Sequence, residues 1–194
     1  DPASGLCWGI QPGDYVRGKG DNHIQAYNFR MCLTDEPGNR IPFAKPAAYD
    51  PEHYELAARW LTATKANVFQ KFDRITATKT DTNNHGAMST DFIGGSWEWP
   101  TASHEERERI FQTPVSYHRG LHWFMANDPR VPAAVRERYA TWGLAADEFP
   151  ETGHWPHQLY VREARRMVED YVLTEKNFLE AARCPDPVGM AAYQ

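Results

Sequence analysis

The sequence lacks the features that mark several large classes of protein. It has only three cysteines in 194 residues, and Cys7, Cys32 and Cys184 are too far apart to predict a disulfide framework or a zinc knuckle. No apolar run approaches the roughly 20 residues that cross a bilayer, and no basic segment precedes an apolar signal core. The net charge of -5 gives no positive field that would gather phosphates. We therefore expect neither membrane insertion nor nucleic-acid binding.

A recognisable nucleotide-binding motif is also missing. A dinucleotide fold is marked by a strand, a Gly-x-Gly-x-x-Gly turn and a helix, because the glycines let the backbone approach a pyrophosphate. Gly18-Lys19-Gly20 is the nearest match, but His23 stands at the third glycine position and no strand is predicted before it. A phosphate-cradling Gly-Lys-Ser/Thr loop is absent as well. The sequence by itself therefore reveals no nucleotide site.

The histidines do not form a typical metal motif. His118 and His122 are four residues apart on a predicted helix, but no adjacent glutamate completes a hydrolytic zinc motif. His154 and His157 form a second pair without a cysteine or carboxylate at diagnostic spacing. We expect no metal site, and packing among aromatic side chains is the simpler prediction for these rings.

The patterning predicts one domain of α+β architecture. Apolar residues make up 41% of the chain, which is enough for one globular core. Ile24 to Thr34 alternates apolar and polar residues as a half-buried strand does, with Asn28 and Arg30 on the polar face. The β-branched content of Asn67 to Phe72 and of Ile75 to Thr80 predicts two further strands.

Start and stop signals predict three helices. The Pro-rich run Pro37 to Pro51 is predicted to be an ordered loop, and Pro51 opens a helix that runs to about Leu61. Ser103 is the predicted N-cap of a helix that runs toward Asn127. A third helix is predicted to start at Pro132 and to stop near Gly143. The segment Gln158 to Thr174 fits both a helix and strands, and its periodicity does not decide between them.

The polar loop between Thr80 and Pro100 carries side chains suited to chemistry. Long polar loops in compact domains often carry functional residues. Ser89 and Ser96 do not lie in the Gly-x-Ser-x-Gly turn of a hydrolase nucleophile. Asp81 and Asp91 could support glycoside chemistry, although loop capping is the simpler role for aspartates in a loop. The residues alone leave these roles open.

Aromatic content supports a rival hypothesis. Seven tryptophans together with the polar loop are compatible with a standalone carbohydrate-binding or polysaccharide-acting module, in which Trp97 or Trp99 would stack on a sugar ring. A purely structural interaction domain is a third possibility.

Specific strings are more informative than composition. They are Gln11–Asp14, Asp21–Arg30, Asp81–Gly86 with Ser89–Gly95, Gly120–Phe124, and Trp155–Met167. On these strings the chain resembles the FAD-dependent oxidoreductase family whose bacterial members are often labelled xanthan lyase-like. The resemblance covers essentially all of residues 1–194, but it corresponds only to the middle of such proteins. It implies that the chain is a fragment, and that its partner is a missing Rossmann portion of the same parent protein that holds the FAD.

The resemblance also implies a fold and an activity. The expected fold is a single α+β substrate domain of a two-domain flavoprotein, with a mainly antiparallel sheet and helices packed on one side. Tyr160 to Thr174 is expected to form strands of that sheet. The expected reaction is the oxidation of a small organic substrate by hydride transfer to flavin. The fragment alone is expected to be inactive and not to bind FAD stably.

Site residues are predicted on the same basis. His85 is the predicted catalytic proton acceptor, because imidazole titrates near neutral pH. The predicted substrate-binding residues are Asn28, Arg30, Asn83, Asn84 and Asp91. The predicted cofactor contacts are Arg162 and Arg165, whose guanidinium groups suit an anion or the flavin edge.

Overall fold

A computed structural model describes residues 5–10, 13, 16, 19–65, 71–83, 88–175, 177 and 189. The chain divides into two compact units, Asp1–Ala164 and Arg165–Gln194. The first unit holds every strand and helix described below. In the second unit, the side chain of Asn177 accepts hydrogen bonds from the main chain and the hydroxyl of Thr174. The predicted single domain over residues 1–194 stays a prediction.

The first unit is built on a five-stranded sheet. Its strand order is β2-β5-β1-β4-β3, and every neighbouring pair is antiparallel. The central strand β1 pairs with β4 on one side and with β5 on the other. Together with three helices this sheet confirms the predicted α+β fold. The strands are β1 Met31–Thr34, β2 Arg40–Ile41, β3 Phe72–Arg74, β4 Lys79–Thr82 and β5 Gly143–Ala145.

Three helices begin close to their predicted positions. They are α1 Glu55–Thr64, which follows a 3-10 turn at Pro51–Tyr54, α2 His104–Asn127 and α3 Ala133–Tyr139. Ser103 caps α2 as predicted: its hydroxyl accepts from the Glu106 amide at 3.2 Å, and the Glu106 carboxylate accepts from the Ser103 amide at 2.7 Å. This capping box satisfies two main-chain donors at the start of the longest helix. Within the described residues, none of the helices is long and apolar enough to span a bilayer.

Aromatic packing joins the sheet to α2. Phe29 precedes β1, is fully buried, and meets Phe111 and His118 of α2 edge-on. His118 and His122 are both fully buried, and the His122 ring stacks on Phe43 with 4.8 Å between centroids. The prediction that these two histidines pack among aromatic side chains is therefore confirmed.

The N-terminal strand is shorter than predicted. Only Met31–Thr34 forms a ladder within the predicted strand Ile24 to Thr34, and Asn28 adds one isolated bridge. Asn28 is fully buried rather than on a solvated face. The alternation of apolar and polar residues indicates which side chains face the core. Ladder hydrogen bonds also need a partner strand, and β4 and β5 pair only with Met31–Thr34.

Four other predictions of secondary structure were wrong. The loop Pro37 to Pro51 contains β2, and of Ile75 to Thr80 only the last two residues belong to a strand, β4. Helix α3 ends at Tyr139, four residues before its predicted end near Gly143, and Gly143 begins β5. Within Tyr160 to Thr174 the described residues form a single bridge at Tyr160 and no strand or helix. Residues 66–70, most of the predicted strand Asn67 to Phe72, lie outside the described residues, and Phe72 itself begins β3.

Candidate functional site

An antiparallel bridge brings two distant segments of the first unit together. The amide of Tyr160 donates to the carbonyl of Asn28 at 2.8 Å, and the two residues face each other across the bridge. Directly opposed residues of an antiparallel pair have side chains on the same face, as do residues two positions along. Asn28, Arg30, Tyr160 and Arg162 therefore share one face. The guanidinium carbons of Arg30 and Arg162 lie 5.3 and 5.9 Å from the centroid of the Tyr160 ring.

Arg30 is held by a carboxylate of strand β4. Its Nε donates to Asp81 Oδ1 at 2.9 Å and its Nη2 donates to Asp81 Oδ2, so both oxygens are engaged. The amide of Asn83 lies 3.4 Å from each oxygen of the same carboxylate. Partial burial pushes the pKa of Asp81 upward, but the hydrogen bonds from Arg30 and Asn83 outweigh it and lower that pKa below its ordinary value. Asp81 is therefore ionised at neutral pH.

Arg162 forms the second ion pair of the cluster. Its Nη1 lies 2.9 Å from Asp91 Oδ1 and also donates to the carbonyl of Ala26 at 3.2 Å. Both side chains are largely shielded, with exposed fractions of 18% for Arg162 and 12% for Asp91. The pair therefore joins the polar loop to the segment that contains Asn28.

The side-chain amide of Asn28 is the unusual feature of this face. Asn28 is fully buried, and neither its Oδ1 nor its Nδ2 has a hydrogen-bond partner among the described residues. Buried polar groups are nearly always hydrogen-bonded, because an unpaired one costs about 1–3 kcal/mol. The amide of Asn28 therefore has hydrogen-bonding capacity that a water molecule or a bound ligand would satisfy.

Helix α2 holds the loop that carries Asp91. Two successive residues of the helix reach two successive carbonyls of the loop: Tyr117 donates its hydroxyl to Ser89 at 3.1 Å, and His118 donates its Nε2 hydrogen to Thr90. Burial lowers the pKa of His118 to about 4, so the ring is neutral at pH 7. The position of Asp91 is therefore fixed by the helix through the residues that precede it.

A small aromatic cleft adjoins Asp91 within the same unit. It has a volume of about 150 Å³ and includes Asp91, Phe92 and Tyr117 in its wall. Trp8 forms another side of it and stacks on His53 with 4.1 Å between ring centroids. Such a cleft could accept the apolar part of a small molecule whose polar groups contact the cluster around Tyr160.

Trp97 and Trp99, which the carbohydrate-binding hypothesis would place against a sugar ring, each pack against another aromatic ring of this chain. Trp97 stacks on His23 with 3.6 Å between centroids, and Trp99 meets Tyr27 edge-on at 5.9 Å. The guanidinium of Arg107 lies 5.5 Å from the Trp99 ring. A sugar would have to displace His23 to use that face of Trp97.

The structure brings five of the eight predicted site residues into one cluster. The five are Asn28, Arg30, Asn83, Asp91 and Arg162. Asn84 and His85 lie outside the described residues, and Arg165 belongs to the second unit. Tyr160 was missed, because its place in the cluster depends on a bridge to a residue more than a hundred positions away. The roles of all eight residues stay predictions.

The described residues do not fit the diphosphate of a dinucleotide. A Rossmann site needs parallel strands and a glycine turn at the start of a helix, whereas every strand pair of the described sheet is antiparallel. Nor do the described residues include a group of three or more His, Cys, Asp or Glu that could hold a metal ion.

Comparison with known proteins gives one match. The family model described as FAD dependent oxidoreductase matches residues 6–194. Neither a curated protein nor a solved structure matches the chain.

Proposed function

The chain belongs to the FAD dependent oxidoreductase family, and from this premise we propose that it supplies the substrate-facing wall of such an enzyme. The observation that carries the proposal is the buried amide of Asn28, which has no described partner and belongs to the face that carries two arginine–aspartate pairs. A bound substrate would provide the missing hydrogen bonds. The narrower resemblance to bacterial, xanthan lyase-like proteins stays a prediction.

The cluster is suited to orienting a small polar molecule. The amide of Asn28 offers two donors and an acceptor, so it can bind a hydroxyl, an amine or a carboxylate. Arg30 and Arg162 are each held by a carboxylate, and anchored side chains lose less entropy when a ligand binds. The aromatic cleft beside Asp91 would hold the rest of the substrate.

We assign flavin binding to a part of the enzyme outside the described residues. In an enzyme of this family FAD would accept hydride from the substrate, while the protein supplies position and electrostatics. The substrate would then lie between the flavin and the side chains of this chain. A Rossmann portion of the same protein is the proposed partner that holds FAD.

A binding screen tests this proposal. Residues 1–194 are titrated with a panel of small alcohols, amines and carboxylic acids, and binding is followed by saturation-transfer NMR. We expect at least one compound to bind and to lose binding in Asn28→Leu, which removes the amide and keeps the volume. Asn127→Leu is the matched control, because Asn127 is exposed at the end of α2 and donates only to Trp123.

Two outcomes would contradict the proposal. One is that no compound in the panel binds, or that binding is the same in Asn28→Leu as in the unmodified chain. The other is tight binding of oligosaccharides that is lost in Trp97→Ala or Trp99→Ala, which would favour the carbohydrate-binding module instead.

A further inference from the structure

Two arginines of the first unit show how this protein binds a carboxylate. Arg30 uses Nε and Nη2, the two donors on one edge of the guanidinium, to hold both oxygens of Asp81. Arg130 uses the same two donors for Asp128, at 2.9 Å each. This parallel pair of hydrogen bonds is the strongest way in which arginine binds a carboxylate.

Arg162 leaves that edge unused. It contacts Asp91 and Ala26 through Nη1 alone, and no described residue accepts a hydrogen bond from its Nε or Nη2. The side chain is only 18% exposed, so water has limited access to it. A shielded guanidinium edge with no acceptor is matched in shape and charge by a planar oxyanion.

The buried amide of Asn28 lies on the same face as Arg162. Asn28 is opposite Tyr160, and Arg162 is two residues further along the same segment on the same face. The contact between Arg162 and the carbonyl of Ala26 shows that the two segments remain adjacent there. Nδ2 of Asn28 has no partner among the described residues, so it would be a third donor on this face for a ligand that displaces the exposed Tyr160 ring.

The local charge limits what kind of anion can bind. Each of the two arginines is paired with one aspartate, Arg30 with Asp81 and Arg162 with Asp91, so these four side chains together carry no net charge. A doubly charged phosphate or diphosphate would bring two negative charges close to Asp81 and Asp91, and their mutual repulsion opposes its binding. A compound with a single carboxylate would place one charge on the guanidinium edge.

We propose that the substrate of this chain carries a carboxylate, held by Nε and Nη2 of Arg162 and by the side-chain amide of Asn28. The inference rests on the proposed function, because it names the substrate class for the same face. It also assigns Arg162 to the substrate rather than to the cofactor.

Calorimetric titration of residues 1–194 tests the inference with five probes: acetate, lactate, alanine, glycerol and inorganic phosphate. Arg162→Lys is the decisive variant, because lysine can still pair with Asp91 but has no bidentate edge. We expect at least one of the three carboxylates to bind, and its Kd to rise at least about tenfold in Arg162→Lys. Arg109→Lys, at an exposed position of α2, should leave the Kd unchanged. Thermal unfolding checks that both variants fold.

The outcomes separate this inference from the proposed function. Binding of a carboxylate that is lost in Arg162→Lys and in Asn28→Leu supports both. In a second outcome, glycerol binds as tightly as the carboxylates and loses binding in Asn28→Leu but not in Arg162→Lys. This result supports the proposed function and contradicts the proposal that the substrate is a carboxylate. If phosphate binds through Arg162 and no carboxylate binds, Arg162 is a cofactor contact as first predicted, and the carboxylate proposal is wrong. Absence of any binding that depends on Asn28 overturns both.

Discussion

His118 donates its Nε2 hydrogen to the main-chain carbonyl of Thr90, which ties helix α2 to the residue before Asp91. The ring is fully buried, and it packs edge-on against Phe29. Burial that keeps the ring neutral also makes its protonation costly. The contact that positions Asp91 therefore has a consequence for stability at acidic pH.

The first prediction is a loss of stability below pH 6.5. Burial lowers the pKa of His118 to about 4, and burial with the nearby His118 lowers that of His122 to about 3. Between these values and the unfolded value of 6.5 the unfolded chain binds more protons, so stability falls as the pH falls. We expect each histidine to remove up to about 1.4 kcal/mol per pH unit in this window. Urea unfolding at pH 7.5, 6.0 and 5.0 measures the slope.

A double variant serves as the comparison for that slope. His118→Gln combined with His122→Gln removes both rings, and it should be less stable at pH 7.5 because it changes packed core positions. Its unfolding free energy should nevertheless depend less on pH between 6.5 and 5.0. An equal slope in the variant and the unmodified chain would contradict the assignment.

The second prediction concerns the close contact between α2 and the 3-10 turn. A methyl group at Gly120 would lie 2.0 Å from the hydroxyl oxygen of Tyr54, which donates to the carbonyl of Tyr117 in the core. Gly120→Ala must displace Tyr54, and we expect it to lower the free energy of unfolding by about 1–3 kcal/mol. Chemical denaturation measures the change. Gly38→Ala is the control, because nothing lies within 4 Å of the added methyl group; equal stability of the two variants would be inconsistent with the packing.

Local signals in the sequence were sufficient to predict where the helices begin. The capping box at Ser103 and the proline at Pro51 act within one helical turn, so their effect can be read without knowing the rest of the fold. The same holds for the buried side of the segment Ile24 to Thr34, where Tyr27, Phe29 and Met31 are all in the core.

Long-range pairing could not be read in the same way. Strand β5 was missed because Gly143 resembles a helix stop, and its pairing with β1 and β2 is what makes it a strand. Within the candidate site, Asn28 and Arg30 were predicted on a polar face, but the residue that pairs with Asn28 is more than a hundred positions away in the sequence. Positions of this kind depend on tertiary contacts rather than on spacing in the sequence.

The third prediction uses the second arginine of the site. Asp81→Asn removes the carboxylate that occupies Nε and Nη2 of Arg30, and it removes one negative charge from the face. The Kd of the bound carboxylate should fall several-fold in Asp81→Asn, because the loss of one negative charge from the face outweighs the weaker hold on Arg30. Calorimetric titration at low and high salt measures the change, and high salt should reduce the gain. Weaker binding in a folded Asp81→Asn protein would count against a carboxylate substrate.

The fourth prediction concerns the assignment of substrate and flavin to different parts of the enzyme. We expect residues 1–194, incubated with excess FAD and then dialysed, to show no flavin absorption band at stoichiometric intensity, because the described residues lack a diphosphate cradle. A yellow protein that retains one FAD per chain would contradict the account, since the cofactor would then be held by the residues that are assigned here to the substrate.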